Sequence, residues 1–193
     1  MKKLMVTVLF ALMAAGVCSA QWYVGGAISY GTQRLGNDSD RARTSEFSFT
    51  PRVGYVFNEQ MLAGVQVVYT HGCVKSDVVD TSFNMGGIAP YFRYNVVSSG
   101  RFTFGFETEL SVLSGSTVRE RQKTWSVGLG IAPVVSFGLT EHWWAEAYLD
   151  LFSLEYQVMP SENGPEGSAF RFGLDADNIL SLSALRFGVV YRF

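Results

Sequence analysis

The chain has 193 residues, a net charge of −2, 17% charged residues and 15% aromatic residues. That length suits one β domain, charge is scarcer than in a typical globular protein, and the weak acidity excludes a general nucleic-acid binder. Mean hydropathy is slightly positive at +0.14, yet no apolar run beyond the N-terminus is long enough for a membrane helix.

Residues 1–20 read as a cleavable signal peptide. Lys2 and Lys3 supply the positive start, Leu4 to Val17 the apolar stretch, and Cys18-Ser19-Ala20 a small-x-small site. Cleavage is expected between Ala20 and Gln21, which leaves residues 21–193 as one domain. Val17 stands where a lipoprotein signal wants a small residue, which argues against lipidation. Cleavage also removes Cys18, so Cys73 has no partner for an internal disulfide. No Cys/His cluster offers a zinc site, and no metal or cofactor is expected.

From Trp22 onward the chain alternates with period two, the signature of strands with two unlike faces. Trp22, Val24, Ile28 and Tyr30 share one face of a first strand, with Tyr23, Gly25 and Ala27 on the other. A polar loop follows over 35–44. Phe47, Phe49, Val53, Tyr55 and Phe57 mark a second strand, Asn58-Glu59-Gln60 a tight turn, and Ala63, Val65, Val67 and Tyr69 a third strand. His71 to Asp80 reads as a second long loop.

Ile88, Pro90, Phe92, Tyr94 and Val96 form one face of the fourth strand, and Ser98-Ser99-Gly100 turns the chain. The fifth strand alternates most cleanly, with Phe102, Phe104, Phe106, Leu110 and Val112 against Arg101, Thr103, Gly105, Glu107 and Glu109. A loop spans Ser114 to Arg121. Trp125 to Phe137 is a sixth strand, Thr140-Glu141-His142 a short turn, and Trp143 to Leu151 a seventh strand. Gln157 to Asp177 reads as the longest loop, with Phe170 to Leu174 extending a strand out of it. An eighth strand runs over about Ile179 to Phe193.

Tight turns thus follow the second, fourth and sixth strands, and long polar loops follow the others. Each strand can supply the roughly 9–11 residues of a tilted transmembrane β-strand. Short turns at one end and long loops at the other are the outer-membrane pattern, with turns periplasmic and loops outside. Pro51, Pro90 and Pro133 recur six residues before the ends of three strands running toward the turns. Proline lacks a donor, so this recurrence predicts a shared bend in the wall.

Which face points inward follows from bulk. An eight-stranded barrel has an interior just wide enough for side chains to fill. The Phe, Tyr and Trp face is too bulky for that lumen, whereas the Gly, Ala, Ser and Thr face suits it. The aromatic face is therefore assigned to lipid, with belts near both interfaces. Arg52, Arg93, Arg101, Arg186 and Arg192 then face the lumen, with Glu46, Glu107, Glu109, Glu146 and Asp150. Buried charges must pair. Adjacency predicts Arg93 with Glu107 and Arg186 with Glu146 or Asp150, Arg52 reaching the same layer. The near balance of sign predicts a closed ion-pair plug rather than a charged constriction that governs permeation.

The opening WYVGGAISYG, the hairpin PRVGYVFNEQMLAGVQVVY and the closing LRFGVVYRF together resemble the small outer-membrane β-barrel family of OmpX and the OmpA membrane domain. The resemblance implies an all-β, eight-stranded antiparallel up-and-down transmembrane barrel in the outer membrane of a Gram-negative cell. Phe187, Tyr191 and Phe193 resemble the C-terminal signal read by the barrel-assembly machinery. It also implies contact with outer-membrane lipid and lipopolysaccharide, a monomer, and a host or surface partner engaged through loops.

The leading functional expectation is a non-enzymatic barrel that displays loops 35–44, 72–80, 114–121 and 157–178. The alternatives are a small porin or hydrophobic-solute conduit, and a lipid-modifying enzyme. An enzyme would need a nucleophile with a base. His142 lies on a periplasmic turn, and His71 starts an outer loop with Ser76 and Asp77 nearby in sequence, where a lone histidine reads as solvated, so no catalytic residue is assigned.

Overall fold

The computed structural model describes residues 22–35, 42–75, 80–117, 123–159, 167–174 and 185–193. The predicted signal peptide, the Ala20–Gln21 cleavage site and the centres of the long loops lie outside the described residues. Ten strand segments are present among them: β1 (Trp22–Leu35), β2 (Ala42–Val56), β3 (Met61–Lys75), β4 (Asp80–Ser99), β5 (Phe102–Thr117), β6 (Lys123–Gly138), β7 (Trp143–Leu149), β8 (Phe152–Met159), β9 (Gly167–Leu174) and β10 (Leu185–Arg192).

The segments close into an antiparallel ring. Each of β1 to β5 pairs with the next, β5 pairs with β6, β6 with β7, and β7 with β10, which returns to β1. β8 continues β7 along β6 and is itself paired with β9. β7 with β8, and β9 with β10, therefore occupy the seventh and eighth strand positions of the barrel.

The seventh position is interrupted for a legible reason. Val134 opposes Tyr148, whereas Ile131 opposes Phe152, so the seventh strand carries one extra residue at Asp150–Leu151. Pro133 lies in the facing stretch, where it can donate no ladder bond. This corrects the expectation that alternation runs through Leu151. Ala147 and Leu149 face lipid below the bulge, and Phe152, Leu154 and Tyr156 do so above it.

The other prolines act on the ladder without shifting it. The β2–β3 register is the same on both sides of Thr50–Pro51, and that of β4–β5 is the same across Ala89–Pro90, though neither dipeptide pairs on that side. The single register shift of β4 against β5 falls between Asn95 and Val97. A common bulge at all three prolines is therefore not what the wall adopts. The shared feature is a missing pair of ladder bonds.

The strands also run farther than expected toward the loop end. Ala42–Thr44, His71–Lys75 and Ser114–Thr117 are strand, and the predicted Gln157–Asp177 loop contains the end of β8 and all of β9. The strand expected over Phe170 to Leu174 is present and starts three residues earlier, as β9. These stretches are polar because they leave the hydrocarbon, and they still pair because their backbone groups need partners. The predicted start of the last strand at Ile179 lies outside the described residues.

Burial is inverted relative to a water-soluble domain. Arg93 and Glu107 are each 1% exposed, whereas Ile28 is 53% and Phe187 54% exposed. Only a solvent of hydrocarbon makes that arrangement stable, because it keeps polar groups paired inside and apolar ones outside. Small lumen residues make room for large ones. A Cβ on Gly54 would fall 2.5 Å from the Tyr23 ring, and one on Gly64 would fall 2.5 Å from the Tyr91 hydroxyl. The tight turns are set by side chains: Asn58 Oδ1 accepts from the N–H groups of Gln60 and Met61 at 2.9 and 2.8 Å.

Candidate functional site

Four strands deliver the centre of the lumen. Inward positions on β2, β4, β5 and β7 send Arg52, Arg93, Glu107 and Glu146 into one cluster: Arg93 and Glu107 are directly opposed across β4 and β5, and Arg52 and Glu146 reach them through their long side chains. Arg93 is the hub. Its Nη2 donates to Glu107 Oε2 at 2.8 Å and its Nη1 to Glu146 Oε1 at 2.7 Å. Arg52 grips the same Glu107 with both terminal nitrogens, at 3.0 and 3.1 Å. Such two-pronged guanidinium–carboxylate contacts are the strong kind.

Uncharged groups complete the cluster. The Tyr148 hydroxyl accepts from Arg52 at 2.7 Å and from Arg93 at 3.0 Å, and it donates to Glu146. Its ring lies beneath three guanidinium groups, with Arg52 at 4.7 Å, Arg186 at 5.3 Å and Arg93 at 5.4 Å from the centroid. Gln66 accepts from Arg52 through Oε1 and donates from Nε2 to Glu109 at 2.7 Å. Ser136 donates to Glu146 at 3.1 Å.

A second layer lies toward the loop end. Arg186 donates to Asp150 at 2.8 Å and reaches Glu109 at 3.5 Å. Asp150 is half exposed there, so this layer meets water while the first does not. On the turn side, Tyr23, Leu62, Tyr91 and Val190 form an apolar cluster, and the Tyr23 and Tyr91 hydroxyls share a hydrogen bond.

The plug therefore separates two cavities. One of about 380 Å³ opens at the turn end and is lined by Leu62, Asn95, Thr103, Trp144 and Arg192 among others. One of about 390 Å³ lies at the loop end, with Phe83, Met85, Gln157 and Arg171 in its lining.

Seven of the nine charges assigned to the lumen network meet in these two layers: Arg52, Arg93, Glu107, Glu109, Glu146, Asp150 and Arg186. Arg101 is not among them. It is exposed at the β4–β5 turn, since the inward phase of its strand says nothing about its height. Arg192 stands apart below the plug, with its guanidinium 3.9 Å from the Trp144 ring centroid. Arg186 pairs with Asp150 and not with Glu146, whose two oxygens are engaged by Arg93.

Tyr148, Gln66 and Ser136 were not assigned from the sequence, although each lies in the inward phase of its strand. Glu155 and Arg171 were not assigned, the first lying just before the predicted loop and the second in the strand expected to extend out of it; they oppose each other across β8 and β9.

Phe187, Tyr191 and Phe193 follow the outward phase of the last strand. Tyr191 packs edge-on against Trp143 and Phe193, each at 5.1 Å between centroids, and stacks on His142 at 5.4 Å. The Phe193 N–H donates to the Trp22 carbonyl at 3.1 Å, which ties the two ends of the chain at the turn side.

No curated protein matches the chain. Among solved structures it is similar to Neisserial surface protein A, with a TM-score of 0.49 and 17% identity, over 91% of this chain and 98% of that one. It is also similar to the outer membrane protein OprG from Pseudomonas aeruginosa, with a TM-score of 0.48 and 12% identity, over 89% and 94%. A family model described as the outer membrane protein beta-barrel domain matches residues 4–193. The strand pairings and that family model together place the chain in the family, as an eight-stranded β-barrel of the outer membrane.

Proposed function

We propose that this protein is a closed structural barrel that displays its loops at the cell surface, with a lumen that neither conducts nor catalyses. The observation that carries this reading is the Arg93 hub, which bridges Glu107 on β5 and Glu146 on β7 from β4 and is 1% exposed. A chain of charge-assisted bonds across the width of so narrow a barrel supports a lumen closed to water and ions. The alternative, a small porin, would require this layer to part. Loops 35–44, 72–80, 114–121 and 157–178 would carry any surface partner, and Phe187, Tyr191 and Phe193 would be read by the assembly machinery. Outer-membrane lipid and lipopolysaccharide would surround a monomer.

The test is conductance of the purified barrel in a planar bilayer. The expected record is silent. A stable, reproducible single-channel step would overturn the reading. Glu107→Ala with Arg93→Ala, which removes the hub and one partner while leaving the strands, is expected to open measurable conductance if it assembles.

A further inference from the structure

The outward face of β2, β3 and β4 near the loop end, where the wall leaves the hydrocarbon, gathers a thiol, an imidazole and charged groups. Register stacks them in rows. Phe47, His71 and Asn84 form one row; Ser45, Cys73 and Ser82 form the next; Arg43, Lys75 and Asp80 form the row beyond. These positions share the phase of the exposed Val65, Val67 and Tyr69, whereas the buried Gln66 and Thr70 face the lumen. Cys73 is a free thiol, half-buried beside an exposed Lys75 and an exposed Arg43.

Three of these side chains are linked in order. His71 Nδ1 lies 2.9 Å from Asn84 Oδ1. That oxygen can only accept, so Nδ1 donates and Nε2 keeps a free lone pair. Nε2 lies 3.6 Å from Cys73 Sγ. Tyr69 donates to the same Asn84 oxygen at 3.2 Å, fixing it further. Thiol, imidazole and amide thus stand as nucleophile, base and orienting group. Ser45 and Ser82 flank the thiol on the same face, with hydroxyls able to donate to an oxyanion.

A separate feature indicates the ligand. Arg43 and Lys75 lie about 7 Å beyond the thiol row, two residues along each strand. Asp80 opposes Lys75 there, so the row keeps a net positive charge, which suits an anionic lipid at the headgroup level. Phe47 and Tyr69, 43% and 47% exposed, lie on the other side of the thiol, where an acyl chain would run. A phosphate at Arg43 and Lys75 therefore puts the lipid's ester carbonyl, a few bonds deeper, level with Cys73.

We propose that Cys73, with His71 as its base and Asn84 as a positioning residue, accepts an acyl group from an ester-linked anionic lipid of the outer leaflet. The Cys73 S–H proton passes to His71 Nε2, and the thiolate attacks the ester carbonyl. The oxyanion collapses, the carbon–oxygen bond of the ester breaks, and His71 returns the proton to the departing alkoxide. The products are a Cys73 thioester and a lipid with one free hydroxyl. No electrons change hands. Lipid is in large excess and the deacylated product diffuses away, so mass action favours the forward step. Water attack on the thioester would release a fatty acid and regenerate the thiol.

The experiment uses the full-length barrel refolded into vesicles of phosphatidylglycerol, into vesicles bearing lipopolysaccharide, and into vesicles of ether-linked phosphatidylglycerol. Intact mass, free fatty acid and deacylated lipid are followed. A hydroxylamine-labile acyl mass on the protein, or Cys73-dependent fatty acid, supports the proposal in either ester-containing vesicle. The vesicle that reacts identifies the donor. The ether vesicles are expected to give neither product. His71→Ala is expected to slow the reaction about 100-fold, as loss of a general base does. Asn84→Ala slows it as well, and Asn84→Asp, which keeps an acceptor oxygen, restores it. These side chains face outward, so the variants are checked for heat-modifiable gel mobility to confirm folding. A Cys73 thiol that stays fully titratable in both ester vesicles, with no fatty acid released, overturns the proposal. So does a reaction that persists in Cys73→Ser at the same rate.

Discussion

Arg93 is the residue on which the interior turns. It is the only guanidinium that engages both buried glutamates of the first layer among the described ion pairs. Arg93→Met would leave Glu146 buried with only hydroxyl donors, from Tyr148 and Ser136. Breaking a buried pair by removing one partner costs about 3–5 kcal/mol. The expected outcome is a loss of that size in urea unfolding from vesicles, whereas Arg101→Ala, exposed at its turn, should change stability by less than about 0.5 kcal/mol. Equal losses from the two variants would refute the hub. The comparison also marks what the sequence could tell. Alternation alone puts a charge on the inner face, so Arg52, Arg93, Glu107 and Glu146 were legible. It carries no information on height, which is why Arg101 was grouped with them. Tyr148 was invisible as a member because a tyrosine in the inward phase reads as filler until three cations converge on its ring.

Elements show a different limit. Strand existence was legible from period two, but strand ends were not, because pairing continues after the hydrocarbon stops. His71–Lys75 is strand although its composition reads as loop. The break in the seventh strand was hidden because Leu151 and Phe152 are both apolar and either phase fits. Its geometry yields a prediction. Deleting Leu151 removes the extra residue and leaves Ala147, Leu149 and Phe152 in one phase. Deleting Ala147 instead also absorbs the extra residue, but it turns Tyr148 and Asp150 to the lipid face and takes them from Arg93 and Arg186. The first deletion should give a barrel with normal heat-modifiable mobility, and the second should fail to assemble. If both assemble equally well, the bulge is not where the register places it. The wall prolines belong to the same scale: Pro51, Pro90 and Pro133 each stand where one neighbour makes no ladder pair, so they forfeit bonds that the geometry had already given up.

At the scale of the molecule the decisive contact is the seam between β1 and β10, because it closes the sheet into a barrel. Val24 opposes Tyr191 across it, and both side chains lie on the outer face. Directly opposed residues of an antiparallel pair hold their Cβ atoms about 4.5–5.5 Å apart, close to the reach of a disulfide. In a Cys73→Ser background, Val24→Cys with Tyr191→Cys should therefore form a disulfide under mild oxidation. Val24→Cys with Val190→Cys should not, since Val190 points into the lumen and is 2% exposed. The link closes nearly the whole chain, and constraining so long a loop is worth about 4–5 kcal/mol in the chain-entropy view. Oxidised protein should then unfold at a higher temperature than the reduced form, and reductant should abolish the difference. If the out-of-phase pair cross-links as readily, the seam is open or out of register, and the ion-paired lumen it encloses would have to be reassigned as well.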